Sequence, residues 1–241
     1  MPAKRFPLLQ HLLDDWRHRL AYPDALLLVS LLGLLTGLAA GGVIILFRLL
    51  VEGAQEAMLP GTGAENYEAL DPLWRMLLPV LAAGLLALMF WRFGQGLHSL
   101  GIARVLDRMA HHQGRMTARG FWLQFGGAAV AIVGGHSVGR EGPHAFLGAA
   151  AGSLLGQSLR LPHNVLRTLV GCGTAAGIAA SFNTPLAGVI FALEVVMMEY
   201  SVASFIPVIL AAVSATTLSN LVFGHAPAFD IPAVGIVALD Q

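Results

Sequence analysis

Residues 134–148 read GGHSVGREGPHAFLG and place an arginine and a glutamate side by side among glycines. The segments on both sides are apolar and almost uncharged, so the pair stands out from its surroundings. Pro143 has the fixed φ that favours the first turn of a helix, where its missing N–H costs nothing. The stretch therefore predicts a helix that begins at this motif within an apolar part of the chain.

The composition predicts that lipid is the main solvent. The 241 residues are 56% hydrophobic and 12% charged, whereas a soluble domain has about 25% charged residues. Residues 25–47 contain no charge and exceed the roughly 20 residues that cross a bilayer core. We predict an all-α polytopic membrane protein. Further apolar stretches are 76–91, 121–135, 145–159, 168–193 and 202–223.

Several classes of function are excluded by composition and spacing. The single cysteine, Cys172, excludes an internal disulfide and a cysteine-based zinc cluster. The net charge of zero gives no basic footprint for nucleic acid. The histidines lack metalloenzyme spacing, and GGHSVGRE lacks the Lys-Ser/Thr of a phosphate-binding loop. We expect neither an enzyme nor a bound metal or cofactor.

Charge asymmetry predicts the topology. Residues 6–20 alternate apolar and charged positions at helical spacing, which indicates an amphipathic surface helix within residues 1–22. The membrane domain then occupies 23–241. Basic residues cluster before the first span and in 92–119, so the positive-inside rule places both regions, and the N-terminus, in the cytoplasm. The acidic stretch 52–72 is then an external loop. The abundance of arginine and alanine is typical of a GC-rich bacterial genome, so we expect the membrane to be a bacterial inner membrane.

The later apolar segments are short and interrupted by GG, GREGP, NTP and IP. Such interruptions predict broken, tilted helices that stop partway across the bilayer and turn their ends toward a binding site. The small-residue spacing Gly148–Gly152–Gly156 predicts close helix packing.

A helix that begins at GREGP presents unpaired N–H groups and a positive dipole end, which is an anion site made from backbone. Glu141, at the mouth of this site, has a carboxylate that competes with a mobile anion and leaves when protonated. On this interpretation, Glu141 is a gate that opens when its carboxylate binds a proton. The alternative is that Glu141 is an N-cap and Arg140 its local partner.

A second stretch, residues 171–194, reads GCGTAAGIAASFNTPLAGVIFALE. Its Gly/Ala portion indicates a helix–helix contact, and Asn183 and Pro185 break and restart the helix. Glu194 and Glu199 lie at the far end of the restarted helix, where a solvated cytoplasmic charge is one reading of each.

These two stretches resemble the CLC family of chloride channels and chloride/proton exchangers. GREGP at 139–143 is similar to one family signature, and FNTPLAGVIFALE at 182–194 resembles another. The resemblance implies voltage-gated-type chloride transport in a lipid membrane by paired subunits. It also implies that Glu141 is the gate. The implied anion-binding residues within this motif are Gly139, Arg140, Gly142 and Pro143.

Two positions depart from the family pattern. Where the family has GSGIP, residues 99–103 read SLGIA, so Leu100 replaces the anion-contacting serine. We expect the backbone of Gly101 and Ile102 to contribute instead. Exchangers of the family carry an inner glutamate directly after the position of Glu194, and here that residue is Val195. Since valine cannot relay a proton, passive conduction is favoured over coupled exchange, unless Glu194 or Glu199 substitutes for the missing acid.

The resemblance also implies two inverted repeats in the complete membrane domain. This chain corresponds to the first repeat, and the GxFxP signature and late tyrosine of the second repeat are not in it. We expect a homodimer or a complementary second-half chain to complete the site. The alternative function is a non-conducting interaction or regulatory half-protein.

Overall fold

The computed structural model describes residues 26–60, 66–94 and 100–224. The predicted amphipathic helix within 1–22 lies outside these ranges. Every regular element in the described ranges is helical, as the apolar segments predict. The elements are α1 Leu26–Met58, a 3-10 turn Tyr67–Ala69, α2 Pro72–Phe93, α3 Ile102–His111, α4 Ala118–Val133, α5 Glu141–Ser158, α6 His163–Phe182, α7 Pro185–Phe191 with a π-helical segment Ala192–Met197, and α8 Val202–Phe223.

Three of the predicted breaks are confirmed. Asn183, in the left-handed conformation with φ 55°, ends α6, and Pro185 is the first residue of α7. Asparagine tolerates this conformation better than most residues. Gly134 ends α4 and Gly135 turns the chain with φ 76°, so a short loop leads directly to the start of α5.

The predicted break at IP is wrong, because Pro207 lies inside α8. The proline ring is accommodated by Gly33 on α1, where an added Cβ would lie only 2.9 Å from the Cβ of Pro207. The helix therefore continues past a proline that a neighbouring glycine leaves room for.

The first helix is longer than predicted. It continues to Met58, so Glu52 and Glu56 lie on a helix rather than in an external loop. Arg48 Nε donates to Glu52 Oε1 at 2.6 Å, an i,i+4 ion pair that supports the added turns.

Backbone contacts between small residues hold the centre together. On α5, a Cβ added to Gly148 would overlap the carbonyl oxygen of Gly173 on α6, and one added to Gly152 would overlap that of Leu169. A Cβ on Gly156 would lie 2.5 Å from the Leu166 side chain. The glycine spacing thus marks the α5–α6 interface, as predicted.

Apolar surface faces outward on several helices. Helix α2 buries only Ala82, whereas Trp91 is 76% exposed. Side chains of this kind are stable on a surface that lipid covers. By length and composition, four described helices could cross a membrane: Leu26–Met58, Pro72–Phe93, His163–Phe182 and Ala203–Phe223. The chain is a membrane protein with an all-helical fold.

Candidate anion site at two helix starts

Helices α3 and α5 begin beside each other. A Cβ built on Gly101, just before α3, would lie 3.9 Å from the Cα and carbonyl carbon of Gly142 in α5. Each helix start carries amides without intrahelical partners and the positive end of the helix dipole. The fold therefore brings Gly101–Ile102 together with GREGP, although these motifs are far apart in sequence.

The first backbone amides of α5 have no hydrogen-bond acceptor among the described residues. Glu141 is its first residue, and the preceding N-cap, Arg140, makes no side-chain capping hydrogen bond. The amide of His144 donates to the Arg140 carbonyl at 3.1 Å, which is the first bond of the helix. Within the described ranges no acceptor pairs with the amides of Glu141 and Gly142, and Pro143 has none to pair.

The reading of Glu141 as an N-cap is therefore wrong, because Arg140 occupies the cap position. The Glu141 side chain is exposed and bends back, so that a Cβ added to Gly139 would overlap its Oε2. Gly139 has no positive φ that would require glycine. A small residue is favoured at this position because the Glu141 carboxylate occupies the space that a side chain would fill.

The start of α3 differs from the expectation at one amide. Gly101, with φ 69°, donates its N–H to Gln124 Oε1 on α4 at 2.9 Å. That amide is already paired, so Ile102 is the nearer candidate for an open donor at this helix start. Sequence reasoning missed Gln124, although it is the single side-chain amide in the apolar stretch 121–135.

The Leu100 side chain supplies no hydroxyl at the position where the family pattern has a serine. Its side chain is half-buried and packs against the hydrophobic core. Ser99, one residue earlier, lies outside the described residues. Leu100 can therefore contribute to an anion site only through its backbone.

His144, in the first turn of α5, lies behind the helix start. It is 3% exposed, and its Nδ1 lies 2.6 Å from Ser181 Oγ near the end of α6. Its Nε2 has no hydrogen-bond partner within the described ranges. The rings of Phe47 and Phe182 pack edge-on against the imidazole at 5.3 and 6.3 Å. Sequence reasoning did not find the Ser181 contact, because no local pattern joins the two residues.

Helix α3 carries charged side chains along its length. Burial lowers the pKa of Arg108, the nearby Arg104 lowers it further, and Asp107 opposes both. Asp107 also lies 3.5 Å from Arg104 Nη1 and 3.4 Å from His111 Nδ1. Arg108 and His111, in the last turn, complement the negative end of the helix dipole, and no acidic residue lies in the first turn.

Two positions considered for inner proton transfer, Glu194 and Val195, lie on the π-helical segment, and a third, Glu199, follows it. Glu194 is exposed on the π-helical segment, and Val195 beside it is half-buried. Glu199 lines a cavity of about 370 Å³ with His163, the first residue of α6. Because α6 begins where α5 has ended, this cavity lies at the end of α5 opposite Glu141.

Sequence comparison identifies relatives of this chain. The model of the family described as "Voltage gated chloride channel" matches residues 89–240. "Putative chloride channel protein ClcB-like" of Ralstonia nicotianae is 34% identical over 172 residues, which cover 69% of this chain and 40% of the relative. "H(+)/Cl(-) exchange transporter ClcA" of Vibrio cholerae is 29% identical over 221 residues, which cover 88% of this chain and 47% of the relative.

Structure comparison agrees with the sequence relatives. A solved structure titled as a CLC-type fluoride/proton antiporter superposes with a TM-score of 0.68 at 26% identity, covering 88% of this chain and 52% of that one. A slow cyanobacterial Cl⁻/H⁺ antiporter, at 22% identity and a TM-score of 0.63, shares the fold. The chain spans about half the length of the relatives it matches.

Proposed function

The chain belongs to the voltage-gated chloride channel family, and we propose that it supplies half of a chloride path gated by Glu141. The observation that carries the proposal is the contact between the starts of α3 and α5, with Glu141 as the first residue of α5. The named relatives transport chloride or fluoride, which are small monovalent anions of the kind that backbone amides bind.

The anion is bound by backbone rather than by a fixed cation. Unpaired amides at Glu141, Gly142 and Ile102 donate to it, while the two dipole ends supply a partial positive charge. Gly139 leaves the approach to the anion site narrow but unobstructed. Arg140, at the N-cap position, makes the local electrostatic potential more positive. A backbone site holds an anion weakly enough to release it, as conduction requires.

Glu141 competes with the anion for this site. Its carboxylate stands at the helix start, where an exposed negative charge is stabilised by about 0.3–1 kcal/mol. Protonation removes the charge and with it the attraction. The gate is therefore closed when Glu141 is ionised and open when it is neutral, so anion flux increases as pH falls.

Passive conduction fits this chain better than proton-coupled exchange. Val195 holds no proton, and Glu194 is exposed on the π-helical segment. Glu199 lies at the opposite end of α5 from the gate. These positions supply no buried acid on the inner side for a proton to follow, within the described residues.

The remainder of the path comes from a second repeat, either in a complementary chain or in a partner copy. We also propose that the described helices belong to a membrane domain in a bacterial inner membrane, with the N-terminus in the cytoplasm. The alternative of a non-conducting half-protein is not favoured, because the relatives carry the names of channels and transporters.

The test is chloride efflux from vesicles that contain the chain, alone and co-expressed with a second-half polypeptide. Glu141→Gln mimics the protonated gate, so we expect high efflux at neutral pH and loss of the pH response. Glu56→Gln, an exposed glutamate on α1, is the matched control and retains the wild-type pH response. Unchanged efflux and pH response in Glu141→Gln would refute the gating role.

A further inference from the structure

The side chain of Gln124, on α4, reaches the start of α3. Its Oε1 accepts the N–H of Gly101 at 2.9 Å, and only 7% of the residue is exposed. Because only the oxygen of a glutamine amide can accept a hydrogen bond, this contact fixes the orientation of the whole group. Oε1 lies against Gly101, and the donor atom Nε2 lies on the other side of the amide.

The Nε2 group of Gln124 carries two hydrogens and has no acceptor among the described residues, since the contact with Gly101 is made by Oε1. Nor is Nε2 among the unpaired side-chain atoms that are fully enclosed in this part of the chain, so it retains contact with solvent. A donor on so buried a residue is costly to leave unpaired. The unpaired Nε2 therefore indicates a ligand that accepts hydrogen bonds.

A backbone donor lies at the same helix start. The Gly101 carbonyl accepts from the amides of Arg104 and Val105 at 3.2 and 3.3 Å, whereas the amide of Ile102, the first of α3, has no acceptor in the described ranges. The nitrogen and oxygen of one amide group are roughly 2.3 Å apart. Nε2 of Gln124 therefore lies within about 5 Å of the Gly101 nitrogen, beside the first turn of α3.

The surroundings of these donors offer them no fixed partner of opposite charge. The first turn of α3 contains no acidic residue, and the half-buried Leu100 side chain is apolar and packs against the core. On the other side, a Cβ added to Gly101 would lie 3.9 Å from the Cα of Gly142 in α5. Gln124 thus belongs to the same group of donors as the two helix starts.

We propose that Gln124 Nε2 donates a hydrogen bond to the transported anion, as the side-chain ligand that Leu100 does not supply. This inference rests on the proposed anion path between the starts of α3 and α5. The side chain has two tasks, since Oε1 holds the Gly101 N–H and Nε2 faces the anion. A neutral amide adds no permanent charge, so it binds a small monovalent anion such as chloride without preventing its release.

Gln124→Glu separates the two tasks. One carboxylate oxygen still accepts the Gly101 N–H, but the second presents lone pairs where Nε2 presented hydrogens. A hydrogen bond to a charged ligand is lost and repulsion is added, so we expect the apparent chloride Kd to rise by about tenfold to a hundredfold or more. Stability without chloride should not fall. Gln113→Glu, the same change at an exposed glutamine beyond the end of α3, is the control and leaves the Kd unchanged.

Chloride binding is measured on the purified full chain in detergent, alone and with a co-expressed second-half polypeptide. A ligand that binds only the folded protein raises the thermal unfolding midpoint as its concentration increases. Gluconate replaces chloride to keep the ionic strength constant. All variants carry Glu141→Gln, so that the gate carboxylate does not compete, and the pH is alkaline, so that the carboxylate introduced by Gln124→Glu is ionised.

Gln124→Met is the second variant, because it removes the acceptor and the donor together. We expect a lower midpoint without chloride, since Gly101 loses its partner, and a raised chloride Kd. An unchanged Kd in Gln124→Met overturns the ligand role. A Kd that rises in Gln124→Met but not in Gln124→Glu also overturns it, because only the contact with Gly101 then matters.

The same protein preparations distinguish this inference from the proposed gate. If chloride binding is lost in Gln124→Glu while efflux through Glu141→Gln keeps the wild-type pH response, the gating role is overturned and the ligand role of Gln124 is supported. If the Glu141→Gln parent binds chloride and has lost the pH response, but Gln124→Glu binds chloride equally well, the ligand role alone is overturned. A parent whose midpoint does not respond to chloride in either preparation overturns both.

Discussion

Gly139 is the residue whose substitution acts most directly on the position of the gate. Its Cα faces the Glu141 carboxylate so closely that a Cβ would overlap Oε2. The backbone there has no positive φ, so alanine adds no conformational strain. The clashing atom is the end of a flexible side chain, which moves at less cost than a helix. We therefore expect Gly139→Ala to fold normally and to displace the carboxylate from the helix start.

The magnitude follows from the interaction that is lost. A carboxylate at a helix N-terminus is stabilised by about 0.3–1 kcal/mol at an exposed position and by up to about 2 kcal/mol when partly buried. Because Glu141 is exposed, losing about 0.3–1 kcal/mol shifts the competition between carboxylate and anion by roughly twofold to fivefold, since 1.4 kcal/mol is about a factor of ten. If the carboxylate blocks the path as proposed, chloride efflux at neutral pH should rise by that factor.

The assay compares initial efflux rates at neutral pH for wild type, Gly139→Ala and Gly53→Ala. Gly53 lies on α1 with open space around its Cα, so an alanine there meets nothing and serves as the control. In a Glu141→Ala background, Gly139→Ala should have no further effect, because the carboxylate it displaces is gone. The reasoning would be refuted by unchanged efflux in a well-folded Gly139→Ala protein, or by an increase that persists in the Glu141→Ala background.

Two further predictions concern stability. Gly148→Ala places a methyl group against the Gly173 carbonyl, so we expect the free energy of unfolding to fall by about 1–3 kcal/mol. The thermal unfolding midpoint in detergent should then be roughly 2–12 °C lower. Gly42→Ala, whose added methyl group meets nothing, is the control, and equal midpoints for the two variants would contradict the close contact. Ser181→Ala leaves His144 Nδ1 buried without a partner, which should lower the free energy of unfolding by about 1–3 kcal/mol. Ser158→Ala, at an exposed serine, is the control and should lower it much less. Equal losses of stability in the two variants would contradict the buried Ser181–His144 pair.

Most of the fold follows from local chemistry that the sequence displays. Pro143 and Pro185 mark helix starts, Asn183 marks a helix end, and the glycine spacing on α5 marks a packed face. Each of these features depends on neighbours in sequence or on one helical period. That is why the positions of α5, α6 and α7 could be predicted.

Two predicted helix ends were wrong for different reasons. Pro207 does not end α8, because Gly33 on another helix makes room for it, and no pattern local to Pro207 shows that. The charges after residue 47 do not end α1, because Arg48 and Glu52 pair along the helix. That pair has i,i+4 spacing, so it was visible in the sequence.

The candidate site divides in the same way. GREGP could be recognised as a helix start, and an anion site and a gate could be proposed there, because every group involved lies within a few residues. The pairing of Gly101 with Gln124, and of His144 with Ser181, joins separate helices and required the structure.

The central claim is that the ionised Glu141 carboxylate closes an anion path at the start of α5. It is tested most directly by chloride efflux from vesicles containing wild type or Glu141→Gln, measured from acidic to neutral pH. The account predicts that wild-type efflux falls as pH rises, whereas Glu141→Gln efflux stays high throughout. A Glu141→Gln protein whose efflux falls with pH as the wild type does would contradict it.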